Sequence, residues 1–152
     1  MAVKPIPEGY HSITPYLIVK GAADAIDFYK QAFGATELFR MPGPDGKIGH
    51  AEIKIGDSVI MLSDEWPEMK YVGAKTLGGS PVSLLLYVDD VDTVFKQALA
   101  AGAKEDRAIE DKFYGDRSGS LTDPFGHIWH VATHTEDVSP EEMERRSAAA
   151  HG

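Results

Sequence analysis

The leading candidate for acid–base chemistry in this sequence is His130, which could be a general base or a hydrogen-bond donor to a ligand, or could simply be satisfied by a neighbouring side chain. His50 and Glu52 form a second candidate. Alternate residues of an extended strand point to the same side of the sheet, so these two side chains would lie next to each other. They could form a polar pair beside a ligand cavity. Strand faces exposed to water also carry such polar pairs without any function. For this pair we favour the interpretation without a function.

A second set of candidates lies in or beside predicted loops. Arg117 follows Asp116 after an aromatic segment, where its guanidinium could bind a carboxylate or a phosphate through two parallel hydrogen bonds. Alternatively, it could form a salt bridge that braces the loop. Trp66 and Tyr114 could stack on a ligand, or could anchor their loops to the core.

Composition excludes several kinds of site. The 152 residues contain no cysteine, which excludes thiolate nucleophiles, cysteine-bound zinc and disulfides and agrees with a reducing compartment. The net charge of −9 and the lack of a basic stripe argue against nucleic acid as a partner. There is no glycine-rich phosphate loop and no Gly-x-Ser-x-Gly pattern. A small organic molecule or another protein remains as the partner.

The elements that position these residues form two similar series. In the first, a run of β-branched and aromatic residues at 13–19 predicts a strand. Apolar side chains then recur at helical spacing over 22–33, which predicts an amphipathic helix. Three further strands are predicted at 36–41, 50–55 and 58–63.

The second series repeats the first. A strand at 82–88 precedes a helix that begins near Val91 and ends before Gly102. The remaining strands are predicted at 108–110, 119–122 and 127–133. The pattern predicts an α+β fold of two similar βαβββ modules.

We expect one domain at 13–135, made of the halves 13–65 and 82–135, with an N-terminal arm at 1–12 and a helix and tail at 136–152. With 43% hydrophobic and 26% charged residues, the composition is typical of an ordinary globular protein. No segment has the apolar length of a membrane span or of a secretion signal. We therefore predict a cytoplasmic protein without a membrane partner.

Five segments resemble a known family: AIDFYKQAFGA at 25–35, HAEI at 50–53, MLSD at 61–64, YGDR at 114–117 and DPFGHIW at 123–129. Together with the paired halves, they resemble the vicinal oxygen chelate superfamily of glyoxalases, bleomycin resistance proteins and dioxygenases. Within that superfamily they are most similar to the PhnB-like branch. The resemblance covers residues 13–133 and implies that the modules form a cupped mixed sheet.

The resemblance also indicates where a metal ion would bind. In metal-dependent members, His and Glu side chains from the first and last strand of each half hold the ion. The corresponding positions here are Thr14, Met61, Ser83 and His130, of which only His130 is a good ligand. We therefore expect no metal centre of the usual kind and no other cofactor, while a divalent ion at other positions stays an alternative.

The same positions indicate which side chains face the cup. If Thr14 and Ser83 point into it, strand alternation places Tyr16 and Tyr87 there too. The predicted cavity is mostly apolar and suits a flat organic ligand with one or two polar groups.

The resemblance favours a small-molecule-binding protein of the bleomycin-resistance kind, acting as a homodimer whose paired halves form the cups. The ligand-binding candidates are Tyr16, Met61, Trp66, Ser83, Tyr87, Tyr114 and Arg117. The alternative is an enzyme of the same superfamily, a lyase, isomerase or dioxygenase, with His130 and Glu52 as catalytic residues. A methyltransferase activity, a name attached to PhnB-like proteins, is discounted because no glycine-rich cofactor loop is present.

Overall fold

Each half of the chain forms one four-stranded sheet and one long helix in a computed structural model that describes residues 2–151. The first half contains β1 (Tyr16–Val19), α1 (Ala22–Phe33), β2 (Thr36–Pro42), β3 (Ile48–Ile55) and β4 (Ser58–Asp64). A short helix, α2 (Ala74–Leu77), lies between the halves. The second half contains β5 (Ser83–Tyr87), α3 (Val91–Ala101), β6 (Lys104–Asp111), β7 (Asp116–Thr122) and β8 (Ile128–His134), and α4 (Pro140–His151) follows.

The two sheets share one topology. Their strand orders are β1-β4-β3-β2 and β5-β8-β7-β6, and in each the first strand runs parallel to the last while the other pairs are antiparallel. The α+β class and the paired βαβββ modules are therefore confirmed. Within residues 2–151, no hydrogen-bonded strand pair joins the sheets, so the predicted cupped sheet consists of two separate sheets.

Several element boundaries differ from the predictions. β1 begins at Tyr16, later than predicted, and Ile13 is 87% exposed. β6 is an edge strand of eight residues in which only Ile109 is half-buried, so its hydrophobic alternation is too weak to reveal its length. The helix α4 runs to His151 and takes up most of the predicted tail, because its alanines favour a helix. Among the described helices, none combines the length and apolar character needed to cross a membrane.

The core lies between the helix-covered faces of the two sheets. The helices α1 and α3 pack against each other and each against its own sheet. At their junction, the rings of Phe33 and Trp129 have centroids 4.7 Å apart, and those of Tyr29 and Trp129 are 5.5 Å apart. Within residues 2–151, the opposite face of each sheet is left without a helix.

A buried carboxylate joins the halves at this core. One oxygen of Asp123, Oδ2, accepts hydrogen bonds from the Tyr29 hydroxyl at 2.5 Å and from Trp129 Nε1 at 2.9 Å. The other, Oδ1, accepts from the backbone N–H groups of Phe125 at 2.8 Å and His127 at 3.0 Å. The residue is only 3% exposed, and a buried carboxylate with four donors is stable where an unpaired one would not be.

The last strand of each half also supports the start of its own helix. Asp64 at the end of β4 accepts hydrogen bonds at 2.9 Å from the backbone N–H groups of Gly21 and Ala22, where α1 begins. In the second half, the hydroxyl of Thr133 accepts from the N–H of Val91 at 2.9 Å, at the start of α3. These bonds satisfy N–H groups that have no partner within the helix.

Replacing Tyr29 by phenylalanine tests the junction. Tyr29→Phe removes one donor from the buried Asp123 carboxylate, so the free energy of unfolding should fall by about 1.5–3 kcal/mol. The matched control is Tyr71→Phe, at a tyrosine that is 42% exposed, which should cost less than about 0.5 kcal/mol. Urea denaturation measures both values. Equal effects of the two substitutions would contradict the role assigned to Tyr29.

Candidate functional site

The sheet of the first half has an uncovered face whose side chains the strand register identifies. Tyr16 pairs with Met61, which pairs with Glu52, which in turn pairs with Phe39. These residues form a row across β1, β4, β3 and β2, on the side away from α1. We call this surface the first open face, and its residues are Tyr16, Phe39, Met41, His50, Glu52, Met61 and Ser63.

Four polar side chains form a continuous hydrogen-bonded chain on this face. The Tyr16 hydroxyl lies 2.8 Å from His50 Nδ1, and His50 Nε2 lies 2.8 Å from Glu52 Oε2. The other carboxylate oxygen, Oε1, accepts a hydrogen bond from the Tyr10 hydroxyl. We call Tyr10, Glu52, His50 and Tyr16 the polar chain. Glu52 is only 5% exposed, so its charge depends on these partners.

The bonding pattern assigns the protons. An ionised carboxylate only accepts hydrogen bonds, so in the tautomer that fits this pattern His50 Nε2–H donates to Glu52. His50 Nδ1 is then free to accept from the Tyr16 hydroxyl. Burial, above all, raises the pKa of Tyr16, and the hydrogen bond to the Glu52 carboxylate raises the pKa of Tyr10. Both phenols are therefore held in their protonated, hydrogen-donating form.

Aromatic side chains surround the imidazole of the polar chain. The His50 ring centroid lies 5.4 Å from that of Tyr16 and 5.7 Å from that of Phe39. A third ring, Tyr71, lies 6.5 Å from Tyr16. Tyr16 is 43% exposed and Phe39 44%. An apolar, partly exposed surface with a few convergent polar groups is the composition of a binding site for a small organic molecule.

The second sheet has a corresponding second open face. Its register places Leu85 beside His130 and His130 beside Ser120, and it also carries Ser83, Tyr87, Asp116, Ala132 and His134. His130 Nε2 lies 3.0 Å from the Ser83 hydroxyl. Ser83, Tyr87 and His130 were predicted to share one face, and the strand register confirms this.

A buried carboxylate lies on the second open face too. Asp116 is 6% exposed and is within 2.8 Å of both the Tyr87 hydroxyl and His134 Nδ1. His134 Nε2 lies 2.7 Å from Asp137. The hydrogen bond to Asp116, followed by that to Asp137, raises the pKa of His134. Sequence reasoning missed His134, although strand alternation from His130 points to it.

The two predicted catalytic residues are not brought together within one chain. Glu52 lies on the first open face and His130 on the second, and within residues 2–151 they share no hydrogen bond. Glu52 instead pairs with His50, the polar pair that strand alternation predicted.

Arg117 lies on the opposite side of its sheet from the second open face. It pairs with Thr133, whose hydroxyl bonds to the start of α3. The guanidinium binds both carboxylate oxygens of Asp92, at 2.9 and 3.0 Å, and one oxygen of Asp111 at 3.3 Å. Asp92, the stronger partner, together with Asp111 raises the pKa of the guanidinium. Its donors are thus engaged in salt bridges that brace α3 and β6, where the sequence had suggested either a ligand clamp or a brace for the loop.

Each of the two loop aromatics contacts other loop residues. The ammonium of Lys47 lies 4.7 Å above the Trp66 ring, and Trp66 forms an isolated backbone bridge with Tyr71. The Tyr114 ring packs edge-on against Phe113 with centroids 5.3 Å apart, and Tyr114 is 38% exposed. These contacts are those of loop anchors, and neither ring is part of the polar chain.

Similarity to known proteins extends over both halves of the chain. The family model of the Glyoxalase/Bleomycin resistance protein/Dioxygenase superfamily matches residues 9–131. The protein Mb0911c of Mycobacterium bovis is 46% identical over 136 residues, which cover 88% of this chain and 90% of that protein. The structure of protein PA1353 from Pseudomonas aeruginosa matches with a TM-score of 0.67 and 29% identity, covering 83% of this chain and 99% of that one. The PhnB protein from Bacillus cereus has the same fold, with a TM-score of 0.64 and 21% identity over 81% of this chain and 99% of that one.

Proposed function

This chain belongs to the Glyoxalase/Bleomycin resistance protein/Dioxygenase superfamily, and we propose that it is a small-molecule-binding protein whose ligand lies on the first open face without a metal ion. The observation that carries this proposal is the polar chain set within a partly exposed aromatic surface. A planar ligand would stack on Tyr16 and Phe39 and would be oriented by hydrogen bonds at the His50–Glu52 pair.

We further propose that two copies of the chain cover each other's open faces. The first open face exposes Phe39 by 44% and Met41 by 55%, and the second exposes Leu85 by 52% and Tyr87 by 58%. Apolar surface of this kind is more typical of an interface than of a free surface. Pairing the first open face of one protomer with the second of its partner would enclose the ligand. The same pairing would bring His130 of one protomer towards Glu52 of its partner. Within one chain, these two residues lie on different open faces.

The side chains at the superfamily's metal positions support the metal-free form of this proposal. They supply two hydroxyls, a thioether and one imidazole, which is a poor set for a divalent ion. They are also dispersed, since Met61 lies on the first open face and Ser83 and His130 on the second, while Thr14 lines a separate cleft of about 270 Å³. His130 is already bonded to Ser83. The donors present therefore do not fit the usual centre.

Elemental analysis tests the metal-free proposal. Protein purified without a histidine tag and dialysed against manganese, zinc, nickel and iron in turn should retain far less than stoichiometric metal. His130→Ala is the informative variant, and His11→Ala, at an exposed histidine, is its matched control. Stoichiometric metal that is lost in His130→Ala and kept in His11→Ala would overturn the proposal and favour a metalloenzyme.

One observation favours the alternative of an enzyme. The His50–Glu52 pair, with Tyr16 bonded to the imidazole, can take a proton from a bound molecule and return it, which is the chemistry of an isomerase or a lyase. Recovery of bound compounds after long incubation distinguishes the two functions. A binding protein returns the compound unchanged, whereas an enzyme returns a product whose formation His50→Gln abolishes.

Substitution on the first open face tests the ligand site. We expect the planar aromatic probes p-nitrophenol and 4-nitroanisole to bind, and Phe39→Ala to weaken both by about tenfold because a stacking surface is lost. The matched control is Leu77→Ala, at an apolar residue of α2 that is 69% exposed. Titration calorimetry measures the two affinities. Sedimentation measures the mass of the protein, which should be that of a dimer. Unchanged affinities in Phe39→Ala, or no binding of either probe, would contradict the ligand site, and a monomeric mass would contradict the dimer.

A further inference from the structure

The N-terminal arm contacts the first open face through one side chain. Residues 2–9 of the arm are exposed, and Tyr10 is half-buried. Among the described residues, the Tyr10 hydroxyl makes the arm's one side-chain hydrogen bond to the body of the protein, and its acceptor is Glu52. The arm's other bonds are internal, from Lys4 to Glu8 and from the Tyr10 N–H to the Pro7 carbonyl. The arm therefore depends on a single phenol for its polar attachment.

Glu52 needs a hydrogen-bond donor at this point. One oxygen of its nearly buried carboxylate is bonded to His50 and the other to Tyr10. Without Tyr10, the second oxygen would be left without a partner in a place that admits little water, which is costly. His50 and Tyr16 belong to strands of the sheet, whereas the donor to this oxygen comes from the exposed arm. The fold thus leaves one position of the polar chain to be filled from outside the sheet.

We propose that the Tyr10 phenol occupies the place of the ligand's own hydroxyl, so that the ligand of the first open face is a phenol whose hydroxyl replaces Tyr10 as the donor to Glu52. This inference rests on the proposed function and adds the chemical class of the ligand to it. Glu52 is then the specificity-determining residue, and the arm is a competitor that holds the site while the ligand is absent.

The charges at the site favour a neutral phenol over an anion. The Glu52 carboxylate would repel a carboxylate or a phosphate, and the net charge of −9 acts in the same direction. A hydroxyl on an aromatic ring supplies the donor and also the planar surface that Tyr16 and Phe39 can stack against. Glu52 raises the pKa of Tyr10, and for the same reason it would hold a bound phenol in its un-ionised form.

Competition with the arm has a measurable consequence. The apparent affinity for a phenol is reduced by the fraction of molecules in which Tyr10 occupies the site. Tyr10→Phe keeps the ring of the arm and removes its donor. Since one hydrogen bond to a charged group is lost from the competing state, p-nitrophenol should bind Tyr10→Phe about tenfold more tightly than it binds the wild type.

Paired probes on matched variants test the inference. The probes p-nitrophenol and 4-nitroanisole are similar planar molecules, of which only the first has a donor. Calorimetry on the full chain should show p-nitrophenol binding the wild type about tenfold more tightly, because a site built to accept a hydrogen bond rejects an analogue without the donor. The preference should increase in Tyr10→Phe and nearly disappear in Glu52→Gln. The exposed residues Glu8 and Glu105 provide the controls Glu8→Gln and Glu105→Gln, which should leave it unchanged.

The outcomes separate this inference from the proposed function. If the two probes bind equally in the wild type and in Tyr10→Phe, and Phe39→Ala weakens both, the phenol inference is overturned while the ligand site stands. If neither probe binds, both are overturned. Should Glu52→Gln lose its native circular dichroism, Tyr10→Phe still decides the question, since unchanged affinity for p-nitrophenol in that variant contradicts the competition. The absorption spectrum of bound p-nitrophenol gives a second readout and should be that of the un-ionised phenol.

Discussion

The buried carboxylate of Asp123 sets how the two halves face each other. It joins Tyr29 of α1 to Trp129 of β8 and closes the turn between β7 and β8. This junction holds the helix-covered faces of both sheets towards the interior, so the opposite faces must point outwards. The open faces, and the candidate site on the first of them, follow from that orientation. Another orientation would remove Tyr29, the one donor that comes from the first half, and would leave the buried carboxylate with only the three donors of its own half.

Buried carboxylates divide into those that support the fold and those that could serve a ligand. Asp123 and Asp64 each accept backbone N–H groups and lie under the helices or at their ends. Glu52 and Asp116 lie on the open faces, where their hydrogen-bond donors are side chains. Side-chain donors can be exchanged for those of a ligand without breaking backbone structure. This difference, rather than burial itself, identifies the open faces as the chemically adaptable parts of the molecule.

The predictable parts of the fold are those in which local pattern and tertiary position agree. The helix at 22–33 has the predicted bounds because its apolar stripe is strong and Gly34 ends it, and the alternation of His50 and Glu52 identified a real pair. The length of β6 could not be predicted, since an edge strand with both faces exposed carries no hydrophobic period. The Tyr10–Glu52 contact was equally beyond prediction, because it joins an irregular arm to a strand 42 residues away. The partners of Arg117 could not be identified from the sequence either, because its two carboxylates belong to other elements, Asp92 to α3 and Asp111 to β6.

The most direct test of the account locates the ligand on the protein. The methyl groups of Met41 and Met61 lie on the first open face. Met69 belongs to the chain segment that links the two halves, and Met143 belongs to α4. The measurement is a methyl NMR titration of the methionine-labelled protein with p-nitrophenol. The account predicts saturable shifts of the Met41 and Met61 signals while those of Met69 and Met143 stay in place. Shifts confined to Met69 and Met143, or saturation that leaves Met41 and Met61 unmoved, would contradict it.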